Sequence, residues 1–490
     1  MPLPICRANA SFTSRLLAGL FIGVFSLVPA SSARAQDHGG EDESNSRYSD
    51  EPIPLAILPD RPKPIFELGE PFLGTGTLKK GMRMPTGAVW QPALMAFGTL
   101  RSAVQGLNRS VGDQDINLTE AAFRFDLFGN LYLTSTERVL VGFRPLDQDG
   151  RFTRYTLASS AESTEEDFEE ELNFGVRTLF FEGDLGELFP AADWRDSKGL
   201  DIGISVGRQP LSFQEGLLLN EDAIDMVGLT KANMRFGALV NMRATLLFGW
   251  GDIDRTVGAG EGANGANRGD KSAMLFGLFT ETDTRKRTVE ADVAVVLADD
   301  LEGDGAYAGL SSIRRIGRFN NVWRAVASGV IGEQGIHTGN GVILTDQFSW
   351  TPHHTHNHVY ISGFVGLGEF RSAARGPSTG GPLGGTGLLF ASVGLGRFGA
   401  PLGNQPDYAY GGSIGYQLFF KGTRQQVIVE VGGRSNYDVQ GLVQTDAFGG
   451  TARYQVALLR RGVLLVDGLV VSTTEGDVTT GARLELVIQL

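Results

Sequence analysis

The sequence predicts an all-β chain that closes into a single antiparallel transmembrane barrel of about 18 strands, within a range of 16 to 20. Three observations lead there. Apolar and polar residues alternate with period two in runs of about ten residues, as strands with one greasy face require. An export signal opens the chain. Nothing downstream of it is apolar for long enough to be a membrane helix. A membrane form must then be a closed barrel, which leaves no backbone group open to lipid. The last strand shows the pattern most cleanly. Ala482, Leu484, Leu486, Ile488 and Leu490 share one face, while Arg483, Glu485 and Gln489 share the other with Val487 among them.

The N-terminus has the three parts of a secretory signal. Arg7 and Arg15 are its charges, Leu16 to Ala30 its apolar core, and Ala33-Arg34-Ala35 its cleavage pattern, giving residues 1–35 as the signal. Cys6 lies upstream of that core, which excludes a lipoprotein-type anchor. The mature chain then has no cysteine, hence no disulfide and no thiolate chemistry. Removing the signal takes three arginines and no acids, and the net charge moves from −13 to −16. That balance argues against nucleic acid as a partner. The hydrophobic content of 42% is too low for a helical membrane protein and suits a wall in which every second residue meets lipid.

Residues 36–81 begin acidic and become proline-rich (EPIPLAILPDRPKPIFELGEP). Proline lacks a ladder donor, so this segment is predicted to be a periplasmic extension, partly disordered and outside the sheet. The barrel is assigned to residues 82–490. Twenty alternating runs follow, from Ala88–Gln105 to Val478–Gln489, among them Arg151–Ala158 and Thr386–Arg397. Both termini of a single-chain barrel should be periplasmic, with long loops outside and short turns inside. Counting back from Leu490 puts Ser435–Asp446 outside. Counting forward from the long Gly251–Lys271 loop puts it inside. One run between Arg371 and Asp446 is therefore missed or invented, and 18 is the predicted number. A barrel that wide is expected to enclose water.

Sidedness can be read strand by strand. Phe123, Phe125 and Leu127 oppose Ala122, Arg124 and Asp126. Val139, Val141 and Phe143 oppose Arg138, Gly142 and Arg144. Val427, Val429 and Val431 oppose Glu430 and Arg434, and Tyr454, Val456 and Leu458 oppose Arg453 and Gln455. In each case arginine takes the face away from lipid. A soluble sandwich would bury the same apolar faces, but its strands run to about 5–6 residues.

Arginine outnumbers lysine 35 to 8. Arg124, Arg138, Arg144, Arg177, Arg243, Arg434, Arg453 and Arg483 fall on predicted interior faces. A guanidinium offers a planar fork of donors to carboxylate or phosphate, and rings of arginine in a pore favour anions. The same arginines would also be satisfied by interior acids such as Asp126, Glu430 and Glu485. Four of the six histidines lie in TPHHTHNHVY. In an extended chain His354, His356 and His358 share a face and are candidate zinc or copper ligands, against the plainer reading of a polar turn at the barrel rim. The acidic stretches Asp147–Gly150 and Asp299–Gly305 lack the full spacing of a calcium loop. Two G-x-S-x-G matches and one G-x-G-x-x-G lie without the strand–turn–helix context such motifs need, so no enzyme activity and no cofactor are expected.

The segment GLDIGISVGRQPLSFQEGLLLN, residues 199–220, resembles the "GRQ" strand of alginate-export-type and related porin-like barrels, with Arg208 and Gln209 matching that element. The resemblance implies an 18-stranded barrel with an arginine-rich lumen, and adds Arg208 to the lumen candidates. The chain departs from that family in its proline-rich extension and in ending at Leu490 rather than an aromatic residue. Taken together, these readings imply a porin-like channel of the cell outer membrane, for diffusion or export of small or polymeric anionic solutes. Its partners would be outer-membrane lipid, the barrel-assembly machinery and the diffusing solutes. The other reading is a closed barrel acting in adhesion or assembly through external loops such as Gly251–Lys271 and Arg371–Gly385.

Overall fold

Alternation with one apolar face commits each segment to a sheet, and the sheet has no edge left once its ends pair. The computed structural model describes residues 63–69, 81–111, 114–148, 150–159, 168–192, 199–255, 268–270, 272–299, 301–437, 446–458 and 460–490. The predicted signal and most of the extension lie outside these residues. Eighteen antiparallel strands form the wall. They are β1 Ala93–Val111, β2 Gln114–Tyr132, β3 Arg138–Phe143, β4 Val176–Asp184, β5 Ile202–Phe213, β6 Leu219–Phe236, β7 Leu239–Trp250, β8 Met274–Asp283 and β9 Arg287–Leu297. The second half is β10 Asp304–Ile316, β11 Phe319–Ile331, β12 Gly341–Trp350, β13 His358–Gly368, β14 Ala409–Phe420, β15 Gln425–Asn436, β16 Ala447–Leu458, β17 Gly462–Thr473 and β18 Val478–Gln489. Each pairs with the next, and β18 closes on β1 with Leu484 opposite Val104. Among the described residues no helix is long and apolar enough to cross a membrane.

Two of the twenty predicted runs are not strands of the wall. Arg151–Ser159 pairs with the upper part of β2, Phe123 opposite Thr153, above the six-residue β3. It continues the third strand after residues 144–148 turn aside. Thr386–Arg397 carries no strand at all and lies in the long β13–β14 connection. Its removal settles the count, and β7 and β15, which lead into Gly251–Lys271 and Ser435–Asp446, then finish at the same end of the barrel. Short turns follow β2, β6, β8, β10, β14 and β16, at the end where Leu490 lies, which is the periplasmic end by the usual rule.

The proline-rich extension does enter the sheet, contrary to the sequence reading. Phe66–Leu68 pairs with β1, Phe66 opposite Ala96 and Leu68 opposite Leu94. The reason is an open edge. The last strand ends where Leu490 and Gly98 exchange backbone hydrogen bonds, so β1 below Gly98 has no partner on that side. The prolines flank this three-residue segment and do not interrupt it.

The outward face is one apolar belt. Val104, Leu246, Val293, Ile361, Ile414, Val431 and Leu484 are all exposed, and register aligns neighbours such as Leu246 with Leu278 and Ile414 with Val431. Such a belt around a closed sheet is stable only in lipid, so the protein resides in the outer membrane. Leu246→Arg, at a side chain 59% exposed on β7, is expected to destabilise the inserted barrel by about 2–4 kcal/mol. Urea unfolding in lipid vesicles would check this.

Candidate functional site: the constriction of the bore

The expectation of a water-filled bore holds for only part of it. Leu247, Leu275, Phe279, Val296, Ile343 and Phe364 point inward and are buried, covered by Leu217–Leu219 and by Leu383, Leu389, Phe390 and Leu402. The covering residues 383–402 belong to the connection between β13 and β14, which folds into the barrel. The stretch Arg371–Gly385, expected as an external loop, is part of this inward fold. At its base Arg371 and Asp407 form an ion pair at 2.8 Å. Burial pushes the Asp407 carboxyl up, against the pull of Arg371. Ala374–Arg375 pairs in parallel with Leu219 and Asn220 of β6. Farther along, the Arg101 guanidinium donates to Val393 O at 2.8 Å and Gln105 to Leu395 O at 3.0 Å. From its root at β14 the loop thus reaches β1, five places away round the ring, and β6, eight places away the other way. It crosses the bore.

Facing the loop is a wall of alternating charge. Arg101 pairs with Glu485 at 2.6 Å, Glu485 with Arg483 at 2.8 Å, Arg483 with Asp467 at 2.5 Å, and Asp467 with Arg453 at 2.7 Å. Three guanidinium groups share two carboxylates. A second chain runs Arg124–Asp126–Arg144–Asp222–Arg177, with contacts of 2.8, 2.8, 2.9 and 2.6 Å. Asp147, in one of the acidic stretches weighed for calcium, joins it through Arg144 at 3.3 Å. Arg101, Arg453, Arg483 and Glu485 of the first chain line a cavity of about 280 Å³ with Leu388, Ala391, Ser392 and Val393 of the loop. Arg483 Nη1 lies there without a well-directed hydrogen bond. A neutral cavity of about 330 Å³, lined by Gln347, His358, Tyr360 and Ser362 among others, lies on the other side of Leu388 and Ala391.

The register puts Arg124, Arg138, Arg243, Arg434, Arg453 and Arg483 on the inner face, while Arg144, past the end of β3, and Arg177, at a bulge of β4, are located by their ion pairs to Asp222. Arg138 pairs with Glu182 at 2.6 Å and Arg243 with Glu281 at 2.5 Å, toward the short-turn end. Arg434 stands beside Gly403 of the loop. Arg208 is a correction. It lies opposite Leu179, an outward residue 49% exposed, and opposite Asp225, whose other partner is the exposed Trp250. Its guanidinium binds Asp225 at 2.8 Å and Asp252 at 2.6 Å on the outer surface. A bulge between Gln209 and Leu211 shifts the pairing just beyond it. His354, His356 and His358 lie on the turn before β13 and at its first residue, and do not gather. Among the described residues the group whose ligand atoms converge is Glu221, Asp222 and Asp254, and Asp222 is already held by Arg144 and Arg177.

Sequence reasoning missed Arg101, Glu120 and Arg397. Arg101 was legible, since Thr99, Arg101, Ala103 and Gln105 alternate with Leu100, Ser102 and Val104. The role of Glu430 was not: it receives loop backbone donors rather than an arginine.

No protein-family model matches the chain, and no curated protein matches it. Among solved structures the chain is similar to Pseudomonas aeruginosa OpdK with vanillate, at TM-score 0.52 and 14% identity, covering 81% of this chain and 98% of that one. It is also similar to a BenF-like porin from Pseudomonas fluorescens Pf-5, at 0.51 and 10%, covering 81% and 99%. A third is Pseudomonas aeruginosa OccK2 (OpdF) in complex with glucuronate, at 0.50 and 11%, covering 81% and 96%. At such identities the likeness establishes a shared porin-like outer-membrane barrel, and the fold alone.

Proposed function

We propose that the protein is an outer-membrane diffusion channel selective for small anionic solutes, which are held at the constriction by Arg101, Arg453 and Arg483. The observation that carries this is the excess of guanidinium over carboxylate in the chain lining the 280 Å³ cavity beneath the loop. Vanillate and glucuronate, bound by two similar barrels, are carboxylates of a size that such a cavity takes. The cavity sizes favour single small molecules over the polymer that the alginate-export resemblance implies. The reading assigns no catalysis.

Planar-bilayer reversal potentials in a potassium chloride gradient test it. The wild type is expected to prefer anions. Arg453→Gln removes the excess charge and should lower the anion-to-cation permeability ratio about fivefold, since one charge at about 4 Å in water is worth ~1 kcal/mol. Arg208→Gln, on the outer surface, should leave the ratio unchanged. Cation preference in the wild type would overturn the reading. Absence of conductance would favour the closed barrel acting through its loops, a role that the half-filled bore supports.

A further inference from the structure

The loop segment that divides the two cavities is held at both ends by the same device. Near β15, Leu388 N and Leu389 N each donate to the Glu430 carboxylate at 2.9 Å, and the Tyr360 hydroxyl donates to it as well. Near β2, Arg397 N donates to Glu120 at 2.6 Å, Arg397 Nε at 2.9 Å and Gln105 Nε2 at 2.8 Å. Both glutamates are only 1% exposed. A buried carboxylate that lost such donors would be left with its desolvation uncompensated, so each holds its end of the segment firmly. The fit at the first end is close. A Cβ on Gly387 would fall 2.7 Å from both Glu430 carboxylate oxygens, so only glycine lets the loop backbone approach this near. Between the pins, Leu388 and Ala391 form the shared wall of the two cavities, and Val393 and Gly394 accept from Arg101.

We propose that Glu430 and Glu120 are the positioning residues that set the selectivity of the channel. They string residues 388–397 between β15 and β2, five places apart round the ring, and these two anchorages fix the aperture and keep the Arg101 guanidinium turned toward the cavity. Neither glutamate needs to touch the solute. The β15 end is the one to release, because Glu430 binds backbone donors that no side-chain replacement elsewhere can restore. The inference rests on the proposed anion channel, deepening it by naming what sets its specificity.

The test compares single-channel conductance and reversal potential in the full chain for wild type, Glu430→Gln and Gly387→Ala. Glutamine keeps one acceptor oxygen and puts an amide donor against a backbone donor. Alanine leaves the carboxylate intact and pushes the loop off it. Both variants are expected to raise conductance about two- to threefold and to lower the anion-to-cation ratio by a similar factor. The temperature at which the barrel loses its heat-modifiable gel mobility should fall by only about a few degrees, because one buried anchorage is weakened while the strand ladder is untouched. Tyr360→Phe, which removes only the hydroxyl donor, should fall between wild type and Glu430→Gln. Unchanged conductance and selectivity in both Glu430→Gln and Gly387→Ala would overturn the proposal. So would a loss of gel mobility in both, which would make the pins parts of the fold rather than of the aperture. A wild type without anion preference would instead defeat the channel reading itself.

Discussion

Excising residues 384–403 and joining Leu383 to Asn404 through two glycines is expected to raise single-channel conductance several-fold and to abolish most solute discrimination. The junction is feasible because Leu383 N already donates to Asn404 O at 3.1 Å. The base of the loop stays, including the Arg371–Asp407 pair and the short strand on β6. What leaves is the segment that crosses the bore. Its removal also uncovers part of the inner apolar cluster, since Leu389, Phe390 and Leu402 go with it. Each fully buried side chain of that kind is worth about 1.5–3 kcal/mol, so the variant should unfold at lower urea than wild type while keeping its eighteen-strand ladder. Bilayer recordings read the first effect and urea titration of tryptophan fluorescence the second. A conductance equal to that of the wild type would mean that the loop is not the constriction.

The second large effect is expected at Asp467. This carboxylate joins Arg483 at 2.5 Å and Arg453 at 2.7 Å, and Arg483 is almost wholly buried. Asp467→Ala leaves Arg483 to share Glu485 with Arg101. Removing one member of a buried ionic network typically destabilises by about 3–5 kcal/mol, because a charge is left without its partner in a poor solvent. The part due to Arg453, which is 21% exposed toward the cavity, is screened and smaller. Folding yield into vesicles and the urea midpoint should both fall. The double variant Asp467→Leu with Arg483→Met removes both charges together and should recover most of the stability. Stability of Asp467→Ala equal to wild type would show the chain to be hydrated and weakly coupled.

The parts of the molecule that the sequence describes well are those where one physical rule acts alone. In β15, β16 and β18 one face meets lipid and the other is mostly polar, so Val431, Tyr454 and Leu484 alternate with Glu430, Arg453 and Glu485, with Ile428 and Val487 the apolar members of the inner face. The rule fails where an apolar residue has a second place to go. In β8, Leu275 and Phe279 point into the bore while Met274, Phe276 and Leu278 point to lipid. The loop is the same problem in reverse. Thr386–Arg397 contains Leu388, Phe390, Val393 and Leu395 at near-strand spacing, and so passes for a wall segment. Its apolar side chains are buried by the inner faces of the wall, some from strands far away in sequence. Arg208 fails for a third reason. Arginine is tolerated on the outside at the rim, where Asp225 and Asp252 can neutralise it.

Local alternation and charge were enough to determine an exported all-β barrel with its greasy face outward and its arginines mostly inward, because the side-chain period of a strand is a property of neighbouring residues. The tertiary structure alone decided that Phe66–Leu68 fills the open edge of β1, that residues 388–397 bridge β15 and β2 between two buried glutamates, and that Arg101 faces the cavity under them. Each of those facts depends on which distant backbone stands within hydrogen-bonding reach, and closing the ring is what brings residues hundreds of positions apart to that distance.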